Sequence, residues 1–153
     1  MDVTIKTLPP LHVAYVRHVG PYPECHKAWM ILCGWALLRG LNLFRTTFLG
    51  LTHDDPQKVP PDKLRYDACF VVPEGIAPEG AVRIKDIPGG NWAVYVHKGP
   101  FEEFPDVYDM LLNRWLPSSG YRFKGGATMN IHLTAPDITP PEERLTEIRI
   151  PLA

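Results

Sequence analysis

A stretch of nine residues that occurs twice restricts this chain more than any other feature. Ala14-Tyr15-Val16-Arg17-His18-Val19-Gly20-Pro21-Tyr22 is echoed by Ala93-Val94-Tyr95-Val96-His97-Lys98-Gly99-Pro100-Phe101, so that His18 falls on His97 and Gly20-Pro21 on Gly99-Pro100, at an offset of 79 residues. Self-similarity at half the chain length is the mark of a duplicated unit. Each copy opens with a short β-prone run, Val3 to Leu8 and Ala81 to Ile87, then turns at Pro9-Pro10 or Pro88-Gly89-Gly90 into a second Val- and Tyr-rich strand. Strand, tight turn and strand read as a hairpin.

A helix follows in each half. Trp29, Leu32, Cys33, Ala36 and Leu37 recur at steps of three and four before Gly40, a natural C-cap. Phe104, Val107, Tyr108, Leu111, Leu112 and Trp115 form the matching stripe, with Pro117 and Gly120 as stop signals. Two further strands close each copy, near Thr47–Thr52 and Leu64–Val72, then Ala127–Thr134 and Leu145–Leu152. The expected fold is therefore α+β, a tandem duplication of a β-β-α-β-β unit with antiparallel sheets, one main helix per copy and pseudo-twofold symmetry. The copies cover about residues 1–76 and 77–153 of a single domain. A four-stranded sheet covered by one helix is short of partners elsewhere, so the copies are expected to join and leave a central ligand groove at their seam.

The totals exclude several function classes. Sixteen Lys and Arg stand against seventeen Asp and Glu, a formal charge of −1 with no basic block, which argues against direct nucleic-acid binding. No apolar run is long enough to span a bilayer, and Met1-Asp2-Val3-Thr4 lacks the pattern of a signal peptide, so a cytoplasmic protein without membrane contact is expected. Cys25, Cys33 and Cys69 show no C-x-x-C spacing, and His18, His97 and His132 no H-x-H or H-E-x-x-H spacing; no metal and no cofactor are expected. Cys25-His26 point in different directions on a helix and make a poor dyad.

The central residues Asp54-Asp55-Pro56, Pro60-Pro61 and Arg65-Tyr66-Asp67-Ala68-Cys69, with Val19-Gly20-Pro21-Tyr22, Ile87-Pro88-Gly89-Gly90-Asn91-Trp92-Ala93 and Glu147-Ile148-Arg149-Ile150-Pro151-Leu152, resemble the GyrI-like family, also known as the AraC-type effector-binding domain. The resemblance runs over the whole chain. It implies two fused modules sharing a groove for lipophilic, often cationic or planar compounds, with Glu147 in that groove. Regulators of the family carry a DNA-binding segment before this domain, whereas this chain opens at its first strand, so a stand-alone (SbmC-like) member rather than a transcription factor is expected.

Elementary physics supports Glu147 from another side. A carboxylate midway along the last strand is costly to desolvate unless a cation or donor meets it, and a ligand cation beside aromatic rings would do so. The plainer alternative is a pair with Arg149, Arg17 or Arg83 on a wet strand face. Tyr66, Trp92 and Tyr95, on or beside strands, are the favoured groove rings, with Phe70 and His132 as further ligand contacts; the helical tryptophans are assigned to packing.

Three functions compete: uptake of a small amphipathic ligand for sequestration or sensing; hydrolysis of reactive cyclopropane-bearing natural products, which the resemblance also implies, with Glu147 as general base and Tyr66 or Tyr95 as hydrogen-bond donor; and contact with a protein partner, DNA gyrase or a separate regulator. The chain is expected to be a monomer or weak homodimer.

Overall fold

In the computed structural model, which describes residues 2–153, the apolar runs form eight strands. They are β1 (Thr4–Leu8), β2 (Leu11–Val19), β3 (Phe48–Thr52), β4 (Arg65–Val71), β5 (Arg83–Ile87), β6 (Gly90–Lys98), β7 (Thr128–His132) and β8 (Leu145–Leu152). The helices are α1 (His26–Leu38), α2 (Phe104–Asp109) and α3 (Leu116–Ser119), the last two joined by a π-helical segment, Met110–Trp115. The chain is α+β, and it divides into two compact units. The N-terminal unit is Pro9–Gly89; the C-terminal unit is Gly90–Ala153 together with the residues up to Leu8.

The repeat holds, but its hairpins do not form. β1 pairs antiparallel with β6, from Thr4↔Val94 to Leu8↔Gly90, and β5 pairs with β2, from Leu11↔Ile87 to Tyr15↔Arg83. The opening strand of each copy thus adds to the sheet of the other. Turn chemistry explains the difference. A two-residue hairpin needs positive φ at its first central residue, and Pro9 and Pro88 occupy those positions with φ locked negative by the ring.

In the N-terminal unit the strand order is β3-β4-β2-β5, all antiparallel. Alternation sends Ala14, Val16, Tyr66, Ala68 and Phe70 to the side on which Ala28, Leu32, Trp35 and Ala36 of α1 pack. Phe70 and Leu32 lose essentially all contact with water, worth about 1.5–3 kcal/mol each by area. Gly40, at φ +71, ends α1: its N–H bonds the Leu37 carbonyl while that of Leu41 bonds Ala36, the paired closure that a left-handed residue permits.

In the C-terminal unit the order is β1-β6-β8-β7. Ala93, Ile148, Ile150 and Leu152 face Val107, Leu111 and Leu116 of the helical segment. That segment runs through Pro117 instead of stopping there. The Leu116 N–H reaches the Leu111 carbonyl, five residues back, and the widened turn spares the proline ring a clash with the turn before it. Gly120, at φ +82, closes the helix.

Candidate functional site

The same alternation that builds each core leaves each sheet a second, helix-free face. On β8 of the C-terminal unit, Ile148, Ile150 and Leu152 turn to the helices, so Glu147 and Arg149 turn away from them. Register places Val96 and Ile131 beside Glu147, Val94 and Met129 beside Arg149, and Trp92 beside Pro151. Thr4 and Lys6 of β1 join this face opposite Val94 and Trp92. An open hollow of about 460 Å³ lies here, lined by Asp2, Thr4, Lys6, Val94, Tyr95, Val96 and Glu147. Its volume is in the range of small-molecule pockets.

The Glu147 carboxylate is mostly withdrawn from water, and among the described residues one cation meets it: Arg149 Nε donates to Glu147 Oε2 at 2.7 Å. Charge partner and hollow therefore coexist at one residue. Val96, directly across from Glu147, remains 45% exposed, an apolar side chain held open beside a carboxylate.

The other expected site residues are scattered. Trp92 is buried on the helix-free face of the same sheet. Tyr95 borders the hollow between Val94 and Val96, but its side chain packs with the helix-side cluster. His132 also alternates to the helix side, next to Phe101 with ring centroids 5.5 Å apart. Burial, helped by the charge of Arg144, pushes its imidazole down to about 4. Tyr66 and Phe70 belong to the helix-side core of the N-terminal unit, where the Trp29 indole N–H donates to the Tyr66 hydroxyl at 3.3 Å.

A second carboxylate went unnoticed as a site in the sequence. Asp67, fully buried on the helix-free face of the N-terminal unit, accepts from Arg17 Nε at 2.8 Å and Nη2 at 3.1 Å and from Lys85 Nζ at 2.6 Å, and lies 2.6 Å from His53 Nε2. Lys85 also stands over the Tyr15 ring, 4.1 Å from its centroid. Burial opposes ionisation of Asp67, but the bonds to His53, Arg17 and Lys85 outweigh it and hold the carboxyl well below the usual range. The available signal was register: an arginine on β2 at the position that faces a lone aspartate in the apolar strand β4.

Nucleophile chemistry finds little support. Burial raises both the Cys25 and the Cys69 thiol, the opposite of what a reactive thiolate needs. His18 Nε2 lies 2.9 Å from the Pro21 carbonyl, a bond that fixes the strand end. His12, Glu74 and Asp86 lie close together, with Asp86 2.6 Å from His12 Nδ1 and Glu74 3.5 Å from Nε2, but both carboxylates are exposed, and exposed acidic groups commonly gather without an ion. Among the described residues no helix is long and apolar enough to cross a membrane.

Comparison with known proteins gives consistent matches. The sequence model of the family described as "GyrI-like small molecule binding domain" matches residues 1–153. The SPbeta prophage-derived putative transcriptional regulator YosT of Bacillus subtilis is 33% identical over 98 residues, 63% of this chain and 65% of YosT. A DNA gyrase inhibitor of Serratia proteamaculans is 30% identical over 139 residues, 87% of each chain. Among solved structures, the EcmrR C-terminal domain superposes with a TM-score of 0.79 at 20% identity, covering 99% of this chain and 97% of that one. The chain spans 57% of the EcmrR chain seen in an EcmrR–DNA complex. SAV2435 bound to tetraphenylphosphonium superposes with a TM-score of 0.67 at 13% identity, covering 100% and 94%.

Proposed function

Because the chain belongs to the GyrI-like small molecule binding domain family, we propose that it binds a lipophilic, cationic molecule on the helix-free face of the C-terminal unit, for sequestration or sensing. The observation that carries this reading is the position of Glu147: a largely desolvated carboxylate in the wall of an open hollow, with the apolar side chains of Val94 and Val96 beside it. A ligand cation there gains a counter-charge in a medium of reduced dielectric, and its apolar part gains about 25 cal/mol for each Å² it removes from water. The structural neighbour that holds tetraphenylphosphonium, a large lipophilic cation, supports the ligand class.

Hydrolysis by Glu147 has weaker support. On the helix-free face of this sheet the strand residues near Glu147 are Val96, Ile131, Val94 and Met129, none of which offers a phenol, and Tyr95 packs on the other side. Binding without turnover is the reading the local chemistry favours.

Calorimetric titration with tetraphenylphosphonium tests the proposal. Wild-type protein should bind it at micromolar level, and Glu147→Gln should bind about tenfold more weakly, a change of roughly 1.4 kcal/mol. Equal affinity for the two proteins would remove Glu147 from the site. Mass spectrometry of a cyclopropane-bearing electrophile after incubation separates binding from hydrolysis, since water addition that is lost in Glu147→Gln would establish the enzyme instead.

A DNA gyrase partner is suggested by the name of the Serratia relative. Met30, Leu37 and Leu38 on α1, and Phe44 beyond it, expose apolar side chains of the kind protein contacts use. Co-purification of gyrase with the tagged protein would support this second reading, and its absence from the eluate would count against it.

A further inference from the structure

The two copies treat one position in opposite ways. Asp67 pairs in register with Arg17 of β2 and Leu51 of β3; Glu147 pairs in register with Val96 of β6 and Ile131 of β7. Surrounding backbone bonds repeat as well: Gly20 N–H to the Leu64 carbonyl corresponds to Gly99 N–H to the Arg144 carbonyl, and His53 N–H to the Arg65 carbonyl corresponds to Leu133 N–H to the Leu145 carbonyl. The two carboxylates are therefore the same residue of the repeat. Asp67 is held by side chains from three other segments, Arg17, His53 and Lys85. Among the described residues Glu147 is held by one, Arg149, two residues away on its own strand.

Resting on the reading of Glu147 as the ligand's counter-charge, we infer that Arg149 is a stand-in for the ligand cation and sets which ligands are accepted. Its guanidinium contacts Glu147 at 2.7 Å, and both side chains are mostly withdrawn from water. A ligand cation must take that place. The strand tether keeps Arg149 at high effective concentration, so a weakly attracted cation loses the competition. Small hydrated cations have no apolar surface to offset the exchange, whereas a large lipophilic cation gains contact with Val94 and Val96 at the same time.

The arrangement also protects the fold when no ligand is bound. A carboxylate withdrawn from water with no partner is strongly unfavourable, and the Arg149 pair removes that cost. In the N-terminal copy the corresponding carboxylate is held by Arg17 of β2 and Lys85 of β5, two cations on two different strands, so release by exchange with a single cation is blocked there. One copy carries a fixed ion cluster and the other an exchangeable pair.

The test uses full-length Arg149→Met and Arg149→Gln, with tetraphenylphosphonium as cationic probe and triphenylphosphine oxide as neutral probe. Removal of the internal competitor should tighten the phosphonium by about tenfold in both variants and change the neutral probe by less than about twofold. Arg149→Gln keeps a polar, similarly sized side chain and serves if Arg149→Met does not fold. Unchanged or weaker phosphonium binding in a folded Arg149 variant, with Glu147→Gln still weakening it, would overturn this inference and leave the Glu147 site standing. Indifference of the phosphonium to Glu147→Gln as well would overturn both.

Discussion

Asp67 and Glu147 stand at the same place in the two copies of the repeat, each paired in register with the second and third strands of its own copy, β2 and β3 for Asp67 and β6 and β7 for Glu147. Their surroundings have diverged into a closed cluster at Asp67 and a single-arginine contact at Glu147. On the proposed reading, a duplicated fold keeps one copy of a buried acid inside an ion cluster and leaves the other to a ligand.

Asp67→Asn should destabilise the protein by about 2–4 kcal/mol at neutral pH, because Arg17 and Lys85 lose the charge that compensates them; the partial exposure of Arg17 keeps the figure from being larger. Urea denaturation measures it. The sign with pH is fixed by the lowered Asp67 carboxyl: its contribution is complete above the unfolded-chain value near pH 4 and is lost as the pH falls further. The variant's stability should depend less on pH below about 4 than that of the wild type. Parallel curves for the two would contradict the cluster's role.

His132 governs a different window. Its imidazole stays neutral in the folded protein down to about pH 4 while the unfolded chain takes up a proton near 6.5. Stability contributed by the neutral ring is complete above 6.5 and is lost between 6.5 and about 4, by roughly 3 kcal/mol. His132→Gln should flatten the melting temperature across that interval. A slope as steep as that of the wild type would show that another group titrates there.

Two glycines should respond in opposite senses. Gly34 lies inside α1 with nothing within 4 Å of an added Cβ, so Gly34→Ala should stabilise by about 0.5–1 kcal/mol. Gly99 sits at φ +144, which strains any residue with a Cβ, and an added Cβ would lie 3.1 Å from His97 Nε2 and displace the Glu103 carboxylate, so Gly99→Ala should destabilise by more than Gly34→Ala gains. Thermal melts of the two variants decide it.

Most of the fold was legible because the duplication repeats strong local signals: Gly-Pro after a Val-Tyr strand, an apolar helical stripe, and a Pro-Pro turn before each last strand. The pairing of β1 was not, since hairpin logic ranks sequence neighbours first and only the locked φ of Pro9 and Pro88 speaks against it. Proline likewise misled at the second helix, where the π-helical turn carries the chain through Pro117. At the site, the resemblance of the last strand and the residue's place midway along that strand single out Glu147 as the candidate, but the faces of individual rings could not be read. Tyr66 and Tyr95 differ from Trp92 by the parity of their positions relative to the helix-side residues, and parity is known only when the core face is known. Asp67 was hidden because its partners Arg17, His53 and Lys85 are far apart in the chain.

Amide chemical-shift mapping with tetraphenylphosphonium would locate the ligand directly. Shifts should concentrate on Thr4, Lys6, Val94, Val96 and Glu147, which share the hollow. Shifts centred on the Asp67 cluster, or none at millimolar ligand, would contradict the assignment of binding to the Glu147 face.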